Sequence, residues 1–218
     1  MSFWESFISY LVQGWIETLK ILGLSIPFSI LLGIGLAVAR VYGSWIISQI
    51  ATGFVMLLRG LPLVVTLLIV FFALPKIGIY LPPFWAAITA FIMCSGAYQS
   101  EYVRGAIRSI DIGQSLAASS LGMTKLQEVV HIILPQAFRR ALPGISNEII
   151  YLILYSSLAY LVGVQELFSV SKHFNSLQFR PIEIFSTTAL IYAFMATVAT
   201  IAFRRLEARL KIPGLEVS

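Results

Sequence analysis

The sequence predicts an all-α, polytopic membrane protein with about five transmembrane helices. Three observations lead there. Hydrophobic residues make up 58% of the 218 and charged residues only 11%, with a mean hydropathy of +0.89. A soluble domain carries ~25% charged residues, so most of this chain needs a non-aqueous solvent. Uncharged apolar runs, such as residues 21–39 and 184–203, approach the ~20 residues that a helix needs to cross a bilayer. The basic residues fall in blocks between these runs, as topology signals do, and form no one-sided patch for nucleic acid. Cys94 is the single cysteine, which excludes a disulfide within the chain.

Taken in order, residues 1–15 are mildly amphipathic. Phe3, Trp4, Phe7, Ile8 and Leu11 are set against Glu5, Ser6 and Gln13. Aromatic enrichment suits an interfacial segment, and the first turns of a longer helix would look the same. The segment lacks a basic n-region and a small-residue cleavage site, so no cleavable signal peptide is expected. The first span is about 16–40, with Glu17 and Lys20 spaced to pair on one helix face. Residues 41–50, VYGSWIISQI, read as a turn and interfacial segment. The second span is 51–75 and holds Arg59. Residues 76–83 form a turn by their glycine and paired prolines. The third span, 82–105, closes on Glu101 and Arg104, with Arg108 on the same helical face. A polar stretch follows at 111–124. The fourth span, 140–164, carries Asn147 and Glu148 well inside it. A polar loop at 165–181 and a fifth span at 183–204 complete the membrane part. The tail, 209–218, begins on Arg209 and Lys211.

The polar stretch carries the most information. Residues 114–121 are small side chains punctuated by Leu116 and Leu121, and Gly122 ends them. That pattern predicts a short helix with a glycine stop, where Gly122 takes a backbone shape that a side chain disfavours. Gly113-Gln114-x-x-Ala117-Ala118-x-x-Leu121-Gly122, followed by Leu134-Pro135-Gln136-Ala137 and Pro143, resembles the cytoplasmic coupling loop of ABC importer permeases. The match is closest in the branch that takes up polar amino acids. Leu58 to Leu63 resembles that branch's Arg-Gly-Thr-Pro segment, with Leu61 where Thr is usual. The stretch Ala97-Tyr98-x-x-Glu101-x-x-Arg104-Gly105-Ala106-Ile107 is also similar to a family segment. Two departures are plain: Leu116 replaces the loop's usual Glu, and residues 152–158, LILYSSL, replace most of a Lys-Asp-Thr-Ser-Leu segment.

The resemblance implies the type I importer fold, with residues 16–208 as the permease domain. It implies that Gly113, Gln114, Ala117, Ala118, Leu121 and Gly122 couple the chain to a cytoplasmic ABC ATPase dimer. ATP and Mg would be bound there, leaving no cofactor in this chain. A second permease subunit, identical or a sibling, would complete the path, and an extracytoplasmic binding protein would deliver the substrate. The remaining partner is membrane lipid, in the inner membrane of a prokaryotic cell. With the coupling loop inside, the excess of positives places the N-terminus outside and the C-terminus in the cytoplasm.

Within the spans, ionisable residues are functional-site candidates by default, because burying them in lipid is costly. Arg59, Glu101, Asn147 and Glu148 are the substrate-path candidates. Arg59 suits a carboxylate, and Glu148 beside Asn147 suits an ammonium. Ties between helices would use the same residues, and both readings stay open. The chain holds no phosphate-cradling Gly-x-x-x-x-Gly-Lys loop, no zinc-binding His pair and no nucleophile elbow, so no catalysis or metal site is expected. The other class considered is a stand-alone channel or secondary transporter. No internal repeat supports it, and a docking loop would be superfluous to it.

Overall fold

The computed structural model describes residues 3–210, which form helices and connections with no β-strand. The tail beyond Leu210 lies outside the described residues.

Helix α1, Phe3–Tyr42, is one unbroken helix, so the expected interfacial segment is not a separate element. At 1.5 Å per residue it is about 60 Å long, twice the hydrocarbon thickness. Near its N-terminal end Phe7 stacks on Phe174 with ring centroids 5.0 Å apart. Lys20 bonds Glu17 at 2.9 Å, as their spacing predicted.

The expected straight span 51–75 does not exist. Helix α2, Trp45–Gly60, and the segment Leu63–Ile77, which begins as α3, Leu63–Leu68, meet at a bend of 109°. The cause is local: Pro62 disfavours helical backbone in the residue before it, and Leu61 is extended at φ −100°, ψ 139°. A long apolar run hides such a break, because hydropathy carries no direction. Arg59 therefore sits at the last turn of α2 and not in the body of a span.

Helix α4, Pro83–Arg108, is the central element and packs against α1, α2, α3 and α7. Its many small residues, including Ala86, Ala87, Ala90 and Ala97, are wholly buried. Facing protein on several sides, it is less apolar than the peripheral helices. Two short helices follow, α5, Ile112–Ser120, and α6, Lys125–Glu128. A π-helical turn then leads into α7, Leu134–Tyr155, which continues as a 3-10 helix to Val162.

Residues 165–181, expected as a loop, contain helix α8, Leu167–Gln178. Its cap is Glu166, wholly buried, whose carboxylate accepts from the Phe168 and Ser169 amides and from the Tyr192 hydroxyl, each at 2.7 Å. Thr18 of α1 accepts from the Leu167 amide at 3.1 Å. A polar composition concealed the helix because its partners come from α1 and from α9, Pro181–Leu210. Only Ile184, Thr188 and Tyr192 of α9 are buried, so this helix borders the bundle and turns its apolar remainder outward. Three helical segments are individually long and apolar enough to cross a membrane, and the bent α2–α3 pair is a fourth candidate. Helix α4, about 39 Å long, has the length to cross but is not apolar enough to be counted among these candidates.

Candidate functional site

The polar segment 111–124 is built as its residues predict. The Asp111 carboxylate caps α5 by accepting from the Gly113 amide at 2.6 Å. The far end closes as a Schellman motif: Met123 N–H donates to the Ala118 carbonyl at 3.1 Å and Gly122 N–H to the Ser119 carbonyl at 3.0 Å. Gly122 adopts φ +74°, the left-handed backbone that glycine tolerates. The chain then re-enters helix through a Thr124–Gln127 capping box.

Of the predicted coupling residues, Ala118 is buried, while Gly113, Gln114, Ala117, Leu121 and Gly122 are exposed. Gln114 accepts from the Gln136 side chain at 3.3 Å. Leu116 is 62% exposed. Sequence reasoning missed Glu128. Its covered carboxylate accepts from Lys125 and from the Ser115 hydroxyl, both at 2.7 Å, tying α6 to α5. Lys125, then Ser115, holds this carboxyl below its ordinary range. The tie is therefore intact at neutral pH and is lost only as pH falls through that depressed value. The visible signal was the Thr-x-x-Gln box that starts α6.

At the loop end of the bundle, Glu101 gathers three arginines. Its carboxylate lies 2.8 Å from Arg40 and 3.3 Å from Arg59, and it also bonds Arg104. Arg59 lies over the Tyr98 ring at 5.4 Å. Its ion-pair partner is thus Glu101 and not Glu148. The cluster joins α1, α2 and α4 just beside the α2–α3 bend.

Between α4 and α7 lies a cavity of about 430 Å³. Helix α4 contributes Cys94, Tyr98 and Tyr102, and α7 contributes Glu148, Tyr151 and Tyr155. The bend at residues 61–64 closes one side. Glu148 is 8% exposed. Asn147 is exposed and does not line the cavity, so the structure separates it from Glu148. A second hollow of about 390 Å³ continues toward the loop end and includes Glu101, Tyr102, Arg140 and Gly144. Tyr102 borders both. One carboxylate among four phenol rings suits a cationic group, through charge and through the negative faces of the rings. Sequence reasoning named Glu148 and missed the tyrosines, which periodicity alone does not distinguish from lipid-facing aromatics.

The family model described as "Binding-protein-dependent transport system inner membrane component" matches residues 29–212. The chain is 36% identical over 207 residues to the glutamine transport system permease protein GlnP of Escherichia coli (strain K12), covering 94% of each. It is 33% identical over 201 residues to the L-cystine transport system permease protein TcyL of Bacillus subtilis (strain 168), covering 89% of this chain and 84% of that one. Among solved structures, a crystal structure of an amino acid ABC transporter with histidines superposes with TM-score 0.85 at 29% identity, covering 96% of this chain and 99% of the other. An inward-facing MetNI methionine ABC transporter shares the fold, with TM-score 0.82 at 20% identity over 97% and 100%. The expected type I importer architecture is therefore the one observed. The chain belongs to the family of binding-protein-dependent transport system inner membrane components and is a membrane-spanning permease subunit of the ABC importer type.

Proposed function

We propose that this permease carries amino acids, and that it pairs with a second permease subunit, identical or sibling, across a shared path. A cytoplasmic ATPase dimer, holding ATP and Mg, docks on the exposed face of α5. An extracytoplasmic binding protein delivers the solute, with the N-terminus of the chain outside and its C-terminus in the cytoplasm. The amino acid class rests on the names of the relatives and on the cavity's chemistry. Glu148 with the surrounding tyrosines takes the solute's ammonium. Arg59, bound to Glu101 and lying over Tyr98, is the nearest candidate cation for its carboxylate.

One observation carries the mechanism. Helix α5 is joined directly to both walls of the cavity, to α4 on one side and through α6 to α7 on the other. Its two ends are held by a cap and a Schellman motif, and its middle by the Ser115–Glu128 bond. A push on so short and fixed a lever is passed to α4 and α7 together and opens or narrows the space between them.

The test is uptake of labelled amino acids by proteoliposomes containing the permease, its ATPase and its binding protein. Uptake is expected to require hydrolysable ATP. Accumulation driven by a proton or sodium gradient with an inactive ATPase would overturn the importer mechanism in favour of a self-sufficient carrier. Glu148→Gln is expected to reduce uptake at least tenfold while the complex elutes normally in gel filtration, since neutralising a buried carboxylate does not burden assembly. Unchanged uptake and selectivity in that variant would remove Glu148 from the path.

A further inference from the structure

The groove between α4 and α7 does not end at Tyr102. The Tyr102 side chain lies against the backbone of Gly144, where a Cβ would come 2.6 Å from its ring Cγ. It stands between the cavity of about 430 Å³ and the hollow of about 390 Å³ nearer the loop end. The two chambers differ in charge. Among the described residues, Glu148 is the one charged side chain lining the first, and Glu101 and Arg140 line the second. Glu101 is already shared by Arg40, Arg59 and Arg104, so its negative charge is more than neutralised.

Arg140 is differently placed. Among the described residues no carboxylate forms an ion pair with it. Its Nη1 donates to the Ser109 carbonyl at 2.5 Å and to Ser109 Oγ at 2.9 Å, which closes the C-terminus of α4. Ser109 Oγ gives its own proton to the Ala106 carbonyl at 2.8 Å, so toward Arg140 it can only accept. Arg140 Nε is enclosed and has no acceptor. Capping α4 therefore engages one nitrogen of a guanidinium that presents five N–H donors in a planar fork. Its charge is met only by the partial charges of a helix end. The hollow in front of it is floored by small residues, Gly105, Ala106 and Ala141, and a Cβ on Gly105 would meet nothing within 4 Å. Space and unspent positive charge coincide, and a carboxylate is a group that the guanidinium fork fits.

We propose that this hollow is a second solute station, in which Arg140 takes the carboxylate of an amino acid that has left Glu148. This rests on the reading of the chain as an amino acid permease. Arg140, Gly144 and Glu148 follow at i, i+4 and i+8 along one side of α7, so the two charges are about 12 Å apart along the helix. The α-ammonium and α-carboxylate of one amino acid sit on the same carbon and do not span that distance. The two residues therefore act in turn, Glu148 on the ammonium and then Arg140 on the carboxylate, with Tyr102 between them. In the proposed orientation the loop end is cytoplasmic, and the carboxylate is released there.

The complex of permease, ATPase and binding protein is placed without nucleotide in phosphatidylcholine nanodiscs, which leave both faces accessible. Phenylglyoxal modifies guanidinium groups. Its rate at Arg140 is read by peptide mass spectrometry as a ratio to exposed Arg139 in the same digest, which cancels reagent lost to other amines. The probes are a mixture of the protein amino acids other than arginine, and the same amino acids as α-methyl esters, which keep the ammonium and lose the carboxylate. At saturation the free amino acids are expected to lower the ratio by about tenfold, as a site bound at ten times Kd requires, and the esters to leave it unchanged.

Arg140→Gln would also open the end of α4, so the hollow is tested by filling it. Gly105→Leu removes no bond of Arg140 and is expected to abolish the protection. The comparison of acids with esters in the unaltered protein decides the matter if that variant does not assemble. Equal protection by the esters, or protection that persists in Gly105→Leu, would overturn the station. A lowered ratio caused by phosphatidylglycerol in the nanodisc, with no amino acid present, would assign the guanidinium to a lipid phosphate and overturn it as well. No protection in a complex that still takes up amino acids would overturn the station alone. A complex that takes up none would overturn the amino acid reading and the station with it.

Discussion

Glu101→Gln is expected to lower the melting temperature of the detergent-solubilised protein by roughly 10 °C, following from a destabilisation of about 3–5 kcal/mol when one partner of a buried ion pair is removed. The carboxylate neutralises a cluster drawn from three helices. Arg40 is the critical member, since its side chain is only 8% exposed and bonds Glu101 at 2.8 Å. Glutamine can accept a hydrogen bond, but it cannot compensate a guanidinium kept from water. Arg59, with a side chain 41% exposed, can turn toward solvent or headgroups, so Arg59→Gln is expected to cost under about 1 kcal/mol. A thermal-shift series on the two variants checks both statements. Equal melting temperatures in Glu101→Gln and the unaltered protein would mean that Arg40 is satisfied by other groups, and that Glu101 is free to serve the path.

Gly122→Val is expected to reduce ATP-driven uptake at least tenfold while the chain still inserts and folds. The reason is conformational and not steric. A Cβ at Gly122 would meet nothing within 4 Å, yet the residue sits at φ +74°. A β-branched side chain is an outlier at positive φ, and the left-handed conformation costs an L-residue about 1–2 kcal/mol. Relaxing that strain breaks the Gly122 and Met123 bonds that close α5 and re-aims the helix. The transported solute lies elsewhere, so the expected signature is uncoupling: ATPase activity that no longer responds to loaded binding protein. Asn tolerates left-handed backbone better than Val does, so Gly122→Asn should retain more uptake. Paired uptake and ATPase assays decide it. Normal coupling in Gly122→Val would exclude the α5 terminus from the docking surface.

Much of the site is legible in the sequence. Gly122 as a helix stop, Glu148 inside a span and α5 as a short helix of small residues all follow from local chemistry. The placement of Arg59 is where sequence position misleads. Inside an apolar run it looked membrane-embedded, whereas the Leu61–Pro62 break puts it at a corner and against Glu101. Glu128 is passed over because it is one polar residue among many until its neighbours are known.

The amino acids alone decided the solvent in which this chain folds, the approximate number of crossings and the backbone turns that glycine and proline impose. These depend on composition and on nearest neighbours along the chain. Packing decided which of the candidate charges meet. Arg40 and Glu101 are 61 residues apart and bond at 2.8 Å, and Leu167 and Thr18 are 149 apart. Helical periodicity predicts which face a residue occupies but not which other helix that face will touch. The assignment of Glu101 to an arginine cluster, of Glu166 to the cap of α8 and of Glu148 to a tyrosine-lined cavity emerged only when the helices closed on one another. In a low-dielectric interior each carboxylate must find its donors, and the number of donors within reach is set by the way the bundle assembles.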